Sequence, residues 1–448
     1  MNRLLFILLV TVLVLCMTTA AFALDVTLKY ERHSDEGESF RPFSFAQVQP
    51  TIERPADDWN LPELRSKTPL YAFAELGDKE RLVILDRQNA DDFFFNRLYF
   101  DANGNRDLTD DPVIEGTFDG EEGEYCHTSF QSVDIMIELE GKLVPYSFRP
   151  DVFYTYFGDY GRPDKQLAKE HIDENLRFVL FSNCSYSGEV ELEGRTYHVV
   201  LGDGNVNGRF NDKLSVFRVV ETDECSPQLG AADHFYLTSG KEIGVYDALL
   251  YGNLLYVETT LFEIKISTAE GKMTLTPVTE NLAPLKLAMA PERIGIYTED
   301  GTNCVMMYRP GTQVVIPQGT YRLLHYTVLR KDAQGDEWLL VAQATERSPS
   351  VTVGRGSSVV FNFGEPYVPV VEVPEAARQG VREGATQVRV AFTVEGAGKE
   401  RLGELSRVSG SRTRIPLSEE NPNRPKEPAY KIVQPDGQIV AQGSFEYG

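Results

Sequence analysis

Short runs rich in Val, Ile, Tyr, Phe and Thr, broken by Gly, Asp, Asn or Pro, recur along almost the whole chain. Their two-residue period is that of a half-buried strand, which restricts the fold to sandwiches or barrels. Arg81–Leu85, Val133–Leu139, Thr196–Leu201, Tyr321–Leu329, Val359–Phe363 and Val388–Val394 are clear examples. Helical patterning is confined to Lys165–Leu176 and to a turn or two at Glu375–Arg382. The expected class is all-β, with several β-sandwich or barrel modules.

A corner signature supports this reading. Ile137-Glu-Leu-Glu-Gly-Lys142 and Val190-Glu-Leu-Glu-Gly-Arg195 nearly coincide, and Ala269-Glu-Gly-Lys272 repeats the end of the pattern. Asp436-Gly437, between Tyr430–Val433 and Gln438–Val440, adds a fourth hairpin corner. Glycine supplies the positive φ of a tight turn, and the flanking alternation turns one face of each strand to a core.

A chain of 448 residues holds two to four domains of ordinary size. The expected division is a signal over 1–23, β domains over 24–151 and 152–279, and a sandwich over 280–373. A linker over 374–386 and an immunoglobulin-like module over 387–448 complete it. The signal reading rests on Arg3, the apolar run Leu4–Met17 and the small-x-small triplet Ala21-Phe22-Ala23. It predicts a secreted or periplasmic protein that meets a membrane only through an uncleaved signal.

Acidic side chains outnumber basic ones, 67 to 44, for a net charge of −23. A nucleic-acid binder needs a basic face, so that class is excluded. Residues 376–448 hold 11 Lys/Arg against nine Asp/Glu, so the acid excess lies entirely before them. Such a body stays solvated and attracts divalent cations. Cys126, Cys184, Cys225 and Cys304 follow the signal, and in an oxidising compartment four cysteines permit two disulfides with three connectivities. None belongs to a CxxC pair. Cys126-His127 are neighbours in sequence, whereas catalytic Cys/His pairs meet in space.

Two segments carry ligand chemistry. Asp101-Ala-Asn103-Gly-Asn105-Arg-Asp107-Leu-Thr-Asp110-Asp111 follows the strand-like Arg97–Phe100, and Asp203-Gly-Asn205-Val-Asn207-Gly208-Arg209-Phe-Asn-Asp212 follows Thr196–Leu201. Oxygen-bearing side chains stand at positions 1, 3 and 5, and Leu108 or Phe210 at position 8 pins each loop to a core. Calcium takes six to eight oxygens at about 2.3–2.6 Å, and such a loop turns alternate side chains inward. The seventh residue, Asp107 or Arg209, offers its carbonyl. Gly208 fills the sharp sixth position, where the first loop has Arg106. Position 12 lacks Glu, so a bidentate carboxylate falls to Asp110 or Asp111, and to Asp212. Plain turn chemistry accounts for the same residue types, because Asn and Asp cap their own backbone.

The pattern resembles the DxNxNG calcium loops of dockerins and EF-hand-like repeats over about a dozen residues, twice. Dockerin loops form a close pair feeding helices, whereas these follow strands, so the ligand pattern alone carries over. The order of elements also resembles exported β-rich bacterial proteins that pair a YFDxNGNxDLTDD segment with a DGNxNGxFxD segment. That similarity brings no activity with it.

Other candidates are weaker. Tyr154 and Tyr156 share one strand face opposite Phe153 and Phe157, a platform on which a sugar ring would stack. Asp91-Asp92-Phe93-Phe94-Phe95 reads as a loop anchored by its phenylalanines. The six histidines form no HExxH, and neither GxSxG nor a Walker loop occurs. The leading expectation is an exported, calcium-stabilised binding, cell-envelope or scaffold component with a polysaccharide or envelope partner, and no catalytic residue is assigned. The alternative is an exported hydrolase acting on polysaccharide or peptide, with accessory β modules.

Overall fold

The computed structural model describes residues 23–34, 42, 44–90, 92–120, 126–154, 176–218, 225–240, 243–356, 358–384 and 390–446. The apolar run of the signal, the 165–175 part of the expected helix, and Tyr156 lie outside them. Among the described residues the chain is all-β apart from short 3₁₀ turns and the helix Glu375–Arg382, which stands where the sequence places it.

A nine-stranded sheet runs in the order Phe45–Val48, Leu176–Ser182, Lys142–Tyr154, Cys126–Phe130, Ile114–Asp119, Arg97–Phe100, Lys79–Asp86, Leu70–Leu76. Val133–Leu139 pairs with the first half of Lys142–Tyr154. A five-stranded sheet joins Ala248–Leu250, His234–Thr238, Arg195–Gly202, Cys184–Leu192 and Lys29–Arg32. A twelve-stranded sheet begins at Leu24–Thr27 and takes in Lys272–Pro277, Thr260–Ser267, Leu254–Val257, Cys304–Tyr308 and Arg293–Thr298. It continues through Gly319–Lys331 and Glu337–Gln343 to Arg401–Ser409, Ala391–Glu395 and Val368–Glu372, and Val351–Val353, off this path, pairs with Gly319–Lys331 as the twelfth strand.

The repeated corners form as their sequence demands. Leu139 pairs with Lys142 and Leu192 with Arg195, leaving two-residue loops. Glu140 and Gly141 (φ 53° and 75°), like Glu193 and Gly194 (φ 49° and 75°), take the positive φ of a type I′ turn.

The large sheet is the wall between two cores. In Leu254–Val257, Leu254 and Tyr256 enter one core while Leu255 and Val257 enter the other. In Cys304–Tyr308, Val305 and Met307 face opposite to Met306 and Tyr308. Burial on both faces explains why these strands read as continuous apolar runs. The first core also holds Leu85, Phe100, Ile137, Phe148, Val199 and Phe235, so it joins the nine- and five-stranded sheets to this wall. Lys142–Tyr154 runs through positions 151 and 152 as one strand.

At the C-terminal end, Arg401–Ser409 pairs with Glu337–Gln343, so the large sheet continues beyond the helix. The hairpin of Ala429–Val433 with Ile439–Ser444 forms a sheet of its own. No helix among the described residues is long and apolar enough to cross a membrane.

Candidate metal loops

Each loop begins where a strand enters the core. Asp101 follows Arg97–Phe100 and Asp203 follows Arg195–Gly202, and both aspartates are 0% exposed. Burial obliges their oxygens to find donors, and the chain supplies them by curling back.

Five hydrogen bonds recur at the same positions in both curls. In the first, Asn105 N–H donates to Asp101 Oδ1 (3.1 Å) and Arg106 N–H to Oδ2 (3.3 Å). In the second, Asn207 N–H donates to Asp203 Oδ1 (3.2 Å) and Gly208 N–H to Oδ2 (2.7 Å). The fifth-position amide oxygen accepts the N–H of the seventh residue, at 2.7 Å for Asn105 and 2.8 Å for Asn207. Asn103 (3.4 Å) and Asn105 (2.9 Å) donate to Asp110, as Asn205 (3.1 Å) and Asn207 (2.7 Å) donate to Asp212. Leu108 and Phe210 are each 1% exposed. Leu108 packs with Trp59, Leu82 and Ile84, whereas Phe210 enters the first core.

The backbones match too, with glycine moved. Positions 4 and 6 are left-handed in both loops: Gly104 (71°) and Arg106 (67°), Val206 (55°) and Gly208 (83°). Arg106 thus adopts the conformation that its sequence position asks of glycine. A β-branched residue such as Val206 is seldom found there.

The remaining candidates divide. Asp111 accepts the Ala102 N–H at 3.2 Å, and burial, followed by the charges of Asp110 and Asp101, pushes its carboxyl up to about 6. The Asp107 carboxylate bonds Thr109 and Asn60 (2.9 Å), and Arg209 reaches Gly77 O (3.0 Å) and Asp78 (2.6 Å), so these side chains serve neighbouring segments.

Three partners have no local sequence signal. Asp233, 1% exposed, accepts the N–H groups of Gly204 (2.8 Å) and Asp212 (2.7 Å), bringing a third carboxylate to the second loop. Tyr146 donates its hydroxyl to Asp203 Oδ2 at 2.7 Å. Burial raises Asp203 to about 7 and Asp233 well above the ordinary range, with neighbouring carboxylates adding to both. Beneath the first loop, the buried Arg81 donates to Asp101 O (3.0 Å), Ala102 O and Met136 O (3.2 Å). One turn separates the loops: Gly77 N–H donates to Asn207 O at 2.7 Å, and Lys79 lies against Gly104.

Among the described residues no three His, Cys, Asp or Glu side chains make a group that would hold a metal ion. Any cation in these loops therefore needs the Asn amides as well, and Asn205 Oδ1 is buried without a hydrogen-bond partner.

Elsewhere the aromatic platform needs correction. Tyr154 is 1% exposed, and its hydroxyl accepts the Phe95 N–H at 2.8 Å, so its ring is core and offers no face to a sugar. Phe93 and Phe94 pack on Phe118, and Phe95 is buried, as an anchored loop requires. Cys126 points into the core and His127 to the opposite strand face, which separates that pair. Cys126, Cys184, Cys225 and Cys304 are free thiols, and burial pushes Cys184 and Cys304 up to about 12. No family model matches the chain, and neither a curated protein nor a solved structure matches it.

Proposed function

We propose that the chain is an exported, calcium-stabilised, multidomain β protein that serves as a binding, cell-envelope or scaffold component. The observation carrying the calcium assignment is the repeat: two distant segments share ligand pattern, left-handed positions and hydrogen bonds. Turn chemistry alone explains either loop, but it gives no reason to keep Val206 and Arg106 in a backbone that suits glycine. At the second loop Asp203, Asp212 and Asp233 repel one another, and a dication offsets that repulsion.

The binding or scaffold role is supported by modular β architecture, the export-type N-terminal sequence and the lack of catalytic signatures. Calcium titration of the chain lacking residues 1–23, followed by melting, tests the metal. Binding to the native state raises stability by about 3 kcal/mol per site at a hundredfold excess over Kd. Melting that is identical in millimolar calcium and in chelator overturns the assignment.

A further inference from the structure

The hairpin of Ala429–Val433 with Ile439–Ser444 joins no larger sheet, and two strands alone are marginally stable in water. A ring stack ties it to the large sheet, with Phe445 lying 5.2 Å from Phe392 and 5.1 Å from Tyr430. Every residue of Ile439–Ser444 is exposed. Ile432, Val433, Ile439 and Val440 are each between 44% and 51% exposed, so one small ribbon leaves four aliphatic side chains in contact with water.

The two strands differ in how their outer edges are guarded. A bare edge is a template for another strand, and charged side chains or proline blunt it. Lys29–Arg32, which ends the five-stranded sheet, carries Lys29, Glu31 and Arg32. Val368–Glu372, which ends the large sheet, carries Pro369 and Glu372. In the hairpin, Ala429–Val433 has Lys431 at its centre, whereas Ile439–Ser444 holds neither charge nor proline. Among the described residues, the backbone of Ile439–Ser444 bonds only to Ala429–Val433. The register slips once, beside Val440, which leaves Ala441–Ser444 as the regular stretch.

Charge selects the occupant of that edge. About a two-fold axis an antiparallel strand faces its own copy, so the residue at its centre opposes itself. Self-pairing of Ala429–Val433 sets Lys431 against Lys431, which is destabilising. Self-pairing of Ala441–Ser444 about Gln442 sets amide against amide and Ala441 against Gly443. Residues 376–448 hold 11 Lys/Arg and nine Asp/Glu, which leaves 33 against 58 in the chain before them. Two copies repel through those acidic parts and meet with least repulsion in the C-terminal stretch.

We infer that Ile439–Ser444 is a dimerisation edge, on which the same strand of a second copy pairs antiparallel to make one four-stranded sheet. The contact joins the outward N–H and C=O groups of both strands and brings the aliphatic side chains of the two hairpins together. It closes at two copies, because Lys431 then stands on both outer strands. It uses no calcium-loop residue and does not depend on the metal.

Sedimentation equilibrium of the chain lacking residues 1–23 tests it over roughly 1–100 µM, in calcium and in chelator. The average mass rises toward twice that of the monomer in both. Gln442→Glu sets two carboxylates against each other at the axis and weakens association by roughly tenfold or more. Within its own hairpin position 442 lies opposite Lys431, so the new carboxylate gains an ion-pair partner and the hairpin is kept. Ala441→Lys, also exposed, weakens association by placing an ammonium group on the same edge. A parent that stays monomeric, a mass that climbs past the dimer, or either variant associating as tightly as the parent overturns the assignment. Calcium-dependent melting is read separately, so either assignment fails without the other.

Discussion

Gly208→Ala and Gly104→Ala place the same methyl in the same kind of loop, yet their costs should differ. Both glycines are left-handed, at φ 83° and 71°, so alanine pays roughly 1–2 kcal/mol of backbone strain at either. A Cβ at 208 would lie inside 3 Å of Ile137 Cδ1, in a side chain that is 0% exposed. At 104 it meets Lys79 Cδ at 3.0 Å, part of a flexible stem able to move. Overpacking adds about 1–3 kcal/mol at the first site and little at the second. The expected losses are therefore about 2–5 kcal/mol for Gly208→Ala and about 1–2 kcal/mol for Gly104→Ala. Urea unfolding in chelator, followed by Trp59 emission in a Trp338→Phe background, reports on the sheet that both glycines touch. Equal losses would refute the packing argument, and tolerance of both alanines would refute the shared left-handed backbone.

Three other outcomes follow from particular contacts. Asp203 rises from 3.8 to about 7 on folding, so the native state holds a proton that the unfolded chain releases. Stability of the chelated protein should therefore fall as pH rises from about 4 to about 7, and calcium should flatten that decline; melting curves across this range rising with pH would reverse the sign. Arg106 lies 5.5 Å over the Trp59 ring and ion-pairs with Asp58, so calcium in the first loop should alter Trp59 emission, and Arg106→Gly should abolish the change while retaining binding. A calcium titration in the Trp338→Phe background measures both. Glu400 is fully buried and accepts the Tyr326 hydroxyl (2.9 Å) and the Gly364 N–H (2.5 Å) on Oε1. Glu400→Ala strands both donors at about 1–3 kcal/mol each, whereas Glu400→Gln keeps an acceptor and should lose less by thermal melting.

The strands were legible because their burial is local in origin. Val133–Leu139 has the bounds its alternation implies, and the Glu-Gly corners turn as two-residue loops demand. The loops were legible for the same reason, since positions 1, 3, 5, 8 and 10 all lie within a dozen residues. Asp233 was not, because it reaches Asp203 through pairing of His234–Thr238 with Arg195–Gly202 rather than through any motif of its own. Tyr154 misled because alternation separates two strand faces without saying which is buried. The aromatic residue left on the outer face is Phe153, and its partners Phe181 and Phe45 come from strands distant in sequence.

Matched backbones do not make the two loops electrostatically equal. At the first, Arg81 sets a buried guanidinium beneath Asp101 and near Asp111, where its charge opposes the rise in the Asp111 carboxyl. At the second, the charges that bear on Asp233 are those of Asp203 and Asp212, all of one sign, while Arg209 turns its guanidinium to Asp78. A proton is the compensation available to Asp203 and Asp233 in the absence of a cation, and it is the weaker one above pH 7. The second loop therefore has more to gain from a dication, and the first has a fixed positive charge that partly substitutes for one. The same backbone thus serves one corner that its own chain already neutralises and another whose carboxylates lack such a charge.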